Sequence, residues 1–138
     1  MSSFDLVNVL LRFVHVAGAA VAVGAVAATT ARGLPPAAFV GLRRLFHIGA
    51  GLALASGFYN YLVVAIPALQ DTGFSGGYHP LMGMKILLAA AFVVAGTIGF
   101  RRAESNPIPA RAVLLMTLFL GLAILMLGAY LRRLWATG

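Results

Sequence analysis

The sequence predicts an all-α fold, an integral membrane four-helix bundle, and three observations predict it. Hydrophobic residues make up 62% of the 138 positions and charged residues only 9%, against roughly 25% charged in soluble domains. Mean hydropathy is +0.99. The apolar residues fall into four runs, each close to the about 20 residues that one bilayer crossing needs. Residues 1–138 therefore read as a single transmembrane domain, with spans at about 6–28, 45–66, 80–100 and 112–131.

Span 1 follows a short polar start and carries Ala20, Gly24 and Ala28 at every fourth position. Such rows of small residues let helix backbones approach closely in lipid. It lacks the basic region that precedes the apolar core of a secretory signal, and Arg12 and His15 interrupt its first half, so it reads as a retained helix. Loop 29–44 follows, with Arg32, Arg43, Arg44 and a Pro35–Pro36 break. Span 2 has its own small row, Gly49, Ala53 and Gly57. The loop after it, PALQDTGFSGGYH, holds Asp71 and no Lys or Arg.

Span 3 lies in GYHPLMGMKILLAAAFVVAGTIGFRR. Pro80 suits a first helical turn, where its missing N–H has no helical partner. From Ile86 to Phe100 nothing is charged. Lys85 is the anomaly, because a cation inside a span must snorkel, pair or face a polar cavity. His79, Met82 and Lys85 share a helix face at i, i+3 spacing. Loop 101–111 carries Arg101, Arg102 and Arg111, with Pro107 and Pro109 as breakers. Span 4 ends in Arg132, Arg133 and Trp135, an interfacial anchor.

The six arginines of loops 29–44 and 101–111 contrast with none in the loop between them. The positive-inside rule places those two loops in the cytoplasm, and a bacterial inner membrane is the expected location. At 1.5 Å per residue, Arg12 and His15 then lie roughly 9 and 14 Å below the outer end of span 1, and Lys85 roughly 8–9 Å below that of span 3. Tyr59, Asn60 and Tyr61 fall in the same outer third of span 2. Polar residues from three spans thus converge on one layer. His47 does not join it and meets headgroups beside Arg44 at the cytoplasmic end.

Each residue also has a purely structural role open to it. Arg12 and Lys85 can snorkel to headgroups. His15 can be a hydrogen-bonded packing residue, Asn60 interhelical glue, and Met82 and Met84 packing. The coincidence in depth favours a site. Asp5, Asp71 and Glu104 are the only acids, so buried cations call for an anionic ligand, a lipid headgroup or water. We therefore expect Arg12, His15, Asn60 and Lys85 to line one cavity open toward loop 2.

The segment LLRFVHVAGAAVAVG resembles the first helix of small four-helix membrane proteins related to the CopD copper-resistance domain and the HemJ-type protoporphyrinogen oxidases. His15 matches the helix-1 histidine of those families. LRRLFHIGAGLALASGFYNYL resembles their second helix, and YHPLMGMKILLAAAFVVAGTIGFRR their third, with Lys85 matching its lysine. Helix 1 lacks the aromatic residues usual in these families, and no histidine stands two residues before Lys85. The CopD-like resemblance implies copper binding or passage at an outer-facing site, through His15, His79, Met82 and Met84, imidazole and soft ligands suited to that metal. The HemJ-like resemblance implies b-type haem and porphyrinogen oxidation, with His15 axial and Arg12 and Lys85 opposite propionates. Copper handling is the first expectation, haem or porphyrin the second. A third is a non-catalytic subunit or anchor of a larger membrane complex, or a homo-oligomer, in contact with the lipid bilayer.

The net charge of +7 would point to nucleic acid in a soluble protein. Here the arginines sit at span ends, so topology and headgroups account for it and no nucleic-acid partner is expected. There is no cysteine, hence no disulfide framework and no thiolate metal site. Phosphate-binding loops, HExxH and nucleophile elbows are missing, which removes nucleotide use and hydrolysis from the expectation.

Overall fold

The computed structural model of the protein describes residues 3–30, 34–72 and 78–137. Helix α1 is Ser3–Ala28, and α2 is Pro36–Tyr59, continued by a π-helical segment Asn60–Ala65 and by α3, Ile66–Thr72. Helix α4 is Tyr78–Ser105 and α5 is Pro107–Thr137. Four stretches, Asp5–Ala28, Pro36–Ala68, Tyr78–Ser105 and Ile108–Arg133, are long and apolar enough to cross a membrane. Among the described residues there is no strand. The chain is an all-α four-helix bundle of the multi-pass membrane class. The side chains of Asp71 and Trp135, and loop residues 73–77, lie outside what is described.

Two helical hairpins make the bundle. Helix α1 packs along α2, and α4 along α5; α2 then meets α4, and α1 meets α5. The α1–α2 contact is a glycine crossing. A β-carbon on Gly18 would stand 2.7 Å from the Gly49 carbonyl oxygen, and one on Gly49 would stand 2.6 Å from that of Gly18. Glycine alone admits this approach of two backbones. The row on α1 that meets α2 is accordingly Gly18, Ala22 and Ala25, where Ala22 and Ala25 are buried. The expected row Ala20, Gly24 and Ala28 is exposed, and a β-carbon at Gly24 meets open space. On α2 the expected row Gly49, Ala53, Gly57 does face α1.

Packing is densest at the loop 29–44 end. Phe46 and Phe100 are fully buried and join Phe92, with ring centroids 5.2 and 5.4 Å from Phe46. Gly96 leaves the space that the Phe46 ring fills. Lipid tails are as apolar as these side chains, so dispersion and shape hold the cluster rather than transfer from water. At the same end Arg43 Nη1 donates to one Glu104 carboxylate oxygen at 3.1 Å and lies 3.0 Å from the other, out of line for a second hydrogen bond. This pair ties α2 to α4. Thr29 and Thr30 close α1, their hydroxyls donating back to the carbonyls of Val26 and Ala27.

Three boundaries differ from the expectation. Helix α2 begins at Pro36 rather than near residue 45, because a proline just inside a helix needs no N–H partner. For the same reason Pro107 opens α5, so that Asn106 alone separates it from α4, and Pro107 and Pro109 do not break a loop there. Pro67 does not end span 2 near residue 66. Its missing N–H and its ring disturb the preceding turn, and the chain absorbs this by widening. The Ile66 N–H bonds five residues back, to the Tyr61 carbonyl, and the helix runs on to Thr72.

Candidate functional site

A cavity of about 800 Å³ lies in the half of the bundle away from the Phe46 cluster, with walls from all four spans. Its size falls within the roughly 300–1,000 Å³ usual for small-molecule and cofactor sites. Arg12 and His15 of α1, Asn60 of the π-helical segment and Lys85 of α4 all line it. The structure thus brings together the four residues that the depth argument selected. Most of the remaining wall is apolar, including Val64, Ile86 and Ala89.

His15 is held by α2. Its Nδ1–H donates to the Ala53 carbonyl at 2.7 Å. A β-carbon on Gly57 would stand 2.8 Å from the His15 ring, so the imidazole sits in a notch that only glycine leaves. Donation from Nδ1 fixes the tautomer and makes Nε2 a lone-pair donor. Gly57→Val is therefore expected to push the ring off the Ala53 carbonyl and abolish ligand binding, with little loss of helix content. Circular dichroism and a binding titration on the same sample check this.

Lys85 does not snorkel outward. It reaches the neighbouring helix α5, where a β-carbon on Gly128 would stand 3.2 Å from its ammonium nitrogen. It also lies within electrostatic reach of His15. Asn60 brings an amide whose Oδ1 is buried and has no hydrogen-bond partner. A buried polar atom without a partner is costly and points to a missing ligand or water. Arg12 is exposed while it still borders the cavity.

The four soft or imidazole ligands expected for a metal do not assemble. His15 and Met82 share the cavity wall. His79 is exposed, and its Nδ1 shares a 3.0 Å hydrogen bond with the Tyr61 hydroxyl at the rim. Met84 is 47% exposed and does not line the cavity. It sits two residues from Met82, about 200° around a helix with 3.6 residues per turn. Among the described residues, no group of three or more His, Cys, Asp or Glu is placed to hold a metal ion.

Tyr61, expected in the polar layer, lines the cavity, as do Arg132 and Tyr78, which sequence reasoning leaves out of that layer. Arg132 reads as a headgroup residue because it stands at a span end, yet it also borders the cavity, about one turn beyond Gly128, which the Lys85 ammonium approaches. Tyr130 is exposed and does not line the cavity. His47 lies outside the site at the opposite end, its Nδ1–H donating to the Arg43 carbonyl at 2.8 Å and its Nε2 3.1 Å from Thr97 Oγ1. No family model, curated protein or solved structure matches the chain.

Proposed function

We propose that the chain binds a b-type haem or a related tetrapyrrole in this cavity, as a membrane oxidoreductase of the HemJ-like kind. One observation carries the reading: His15 presents Nε2 as a free lone-pair donor in a large, mostly apolar cavity whose charged wall residues, among those described, are all cations. Haem needs an axial imidazole, apolar surroundings for its macrocycle and cations for its propionates. His15 would be the axial ligand, and Arg12, Lys85 and Arg132 would face the propionates. The bound group would supply electron transfer. The residues bind it, orient it and keep water from the macrocycle.

Protein purified in mild detergent and titrated with haemin is expected to develop an intense, sharpened Soret band at one equivalent. A titration that shows only free haemin dissolved in detergent overturns the reading. Copper handling is the second reading, and the observation in its favour is that His15 and Met82 share the wall. It predicts copper bound stoichiometrically after loading and desalting, lost in Met82→Leu. Neither metal nor pigment would leave the non-catalytic subunit or anchor.

We place the cavity on the extracytoplasmic side, since Arg43, Arg44, Arg101, Arg102 and Arg111 gather at the other end. Because the chain has no cysteine, Asn106→Cys gives a clean test. A membrane-impermeant maleimide should label it in inverted vesicles and not in intact cells.

A further inference from the structure

Toward loop 2, where the cavity is expected to open, the described residues pack together. At that end Ala65, Tyr78 and Leu131 are buried against one another, with Tyr61, Leu81, Met82 and Leu127 around them. This cluster draws on the second, third and fourth spans and takes nothing from α1. Helix α4 forms the back wall, since its lining residues Met82, Lys85, Ile86 and Ala89 are not exposed. The lining residues that are also exposed gather along α1: Val9 at 59%, Phe13 at 69% and Val16 at 65%. Phe58 of α2, 49% exposed, continues the row. Val9 to Val16 spans about 10 Å of helix. This mouth therefore lies in the side of the bundle, within the apolar belt, and meets acyl chains rather than water.

Its charge is one-sided. Arg12 on α1 and Arg132 on α5 are exposed lining residues and Lys85 stands inside, while no Asp or Glu among the described residues lines the cavity. An apolar slot with cations at its rim and in its depth complements a molecule with an apolar body and an anionic group.

We propose that the cavity is entered sideways from the bilayer, along the Val9–Phe13–Val16 face of α1, by a membrane-dissolved anionic amphiphile. The amphiphile's carboxylate or phosphate leads, passes Arg12 and Arg132, and comes to rest against Lys85. A tetrapyrrole dicarboxylate and an anionic lipid share this chemistry. The inference rests on the cavity being a ligand site and not on its holding haem.

The test uses the full chain in lipid nanodiscs with a long-chain fatty acid bearing a diazirine near its carboxylate, and with the methyl ester of the same probe. After illumination, adducts are mapped by mass spectrometry. The carboxylate is expected to label Ile86 and Ala89, which stand on the back wall, at least about tenfold more than the ester does, from the worth of charged hydrogen bonds. Leu87, turned to lipid on the same helix, should take both probes equally. Lys85→Gln should remove the excess at Ile86 and Ala89, and Phe13→Arg at the mouth should change its rate of appearance. Equal labelling of the back wall by acid and ester, or adducts confined to lipid-facing residues such as Leu87, overturns the proposal in the unmodified protein, whether or not any variant folds. Haemin added first separates the two readings. A Soret band without back-wall adducts keeps haem binding and rejects the lateral mouth. Back-wall adducts without a Soret band keep the mouth, identify a lipid source for the ligand and reject haem. Adducts suppressed by haemin show both occupants using one site.

Discussion

Replacing His15 with alanine is expected to abolish the Soret band of haemin-titrated protein and to weaken binding by more than about a hundredfold, beyond the 10–100-fold that loss of an outer-shell partner costs. The reason is that no second imidazole lines the cavity. His79 is tied to Tyr61 at the rim, and His47 lies at the far end of the bundle beside Thr97. The variant also frees the Ala53 carbonyl, but that oxygen remains within α2 and receives a longer bond from Ser56, at 3.3 Å. Helix content should therefore stay near that of the wild type, and loss of pigment would not be loss of fold. Met82→Leu serves as the contrast, because it keeps the volume and removes only the thioether. It should leave the haem spectrum intact. A full Soret band in His15→Ala would exclude His15 as axial ligand. Loss of copper rather than pigment in Met82→Leu would favour the copper reading.

Valine at Gly49 should destabilise the bundle by about 3 kcal/mol or more, at or above the upper end of the cost of overpacking. The β-carbon would meet backbone on both sides, the Gly18 carbonyl oxygen at 2.6 Å and the Ala22 nitrogen at 2.7 Å. Neither can rotate away as a side chain would, so α1 and α2 must separate along their length. Separation also removes Ala53 from His15, and ligand binding should fall with stability. Gly24→Val is the matched control. It lies on the face of α1 that sequence spacing favoured, but nothing stands within 4 Å of its β-carbon. Its effect should stay within about 0.5 kcal/mol, as for substitutions away from packed features. Steric trapping or unfolding in mixed micelles measures both. Equal losses at the two glycines would mean that the crossing lies elsewhere.

These two glycines mark the limit of what spacing reveals. Helix α1 is rich in Ala and Gly, so four-residue rows of small residues recur on more than one of its faces. Only contact with α2 selects Gly18, Ala22 and Ala25 over Ala20, Gly24 and Ala28. The short helix boundaries arose differently. Pro36 and Pro107 read as breaks, yet a proline in a first turn costs little, and Pro67, just past the expected end of span 2, is absorbed by a π-helical turn.

The candidate site was legible to a greater degree. Arg12, His15, Asn60 and Lys85 are polar residues in apolar runs, and polar groups at bilayer depth have few places to go. Their similar depths follow from helical rise alone, so convergence on one outer layer could be read from residue numbers. Arg132 also borders the cavity but stands at a span end, where an arginine has an ordinary explanation.

By itself the sequence determined the class of the protein, its four spans and the level at which its polar side chains meet. Those properties follow from composition, from the length of a bilayer crossing and from the rise of a helix, which are one-dimensional quantities. The tertiary structure decided which face of each helix turns inward and that Lys85 reaches Gly128 instead of rising to headgroups. It also decided that Ala53 orients His15, that Ala65, Tyr78 and Leu131 are buried together at one end of the cavity, and that the exposed lining residues gather along α1. Those properties depend on rotation about the helix axes and on the close approach of backbones. Both are set by contacts between residues far apart in the chain, at Gly18–Gly49, His15–Gly57 and Phe46–Gly96.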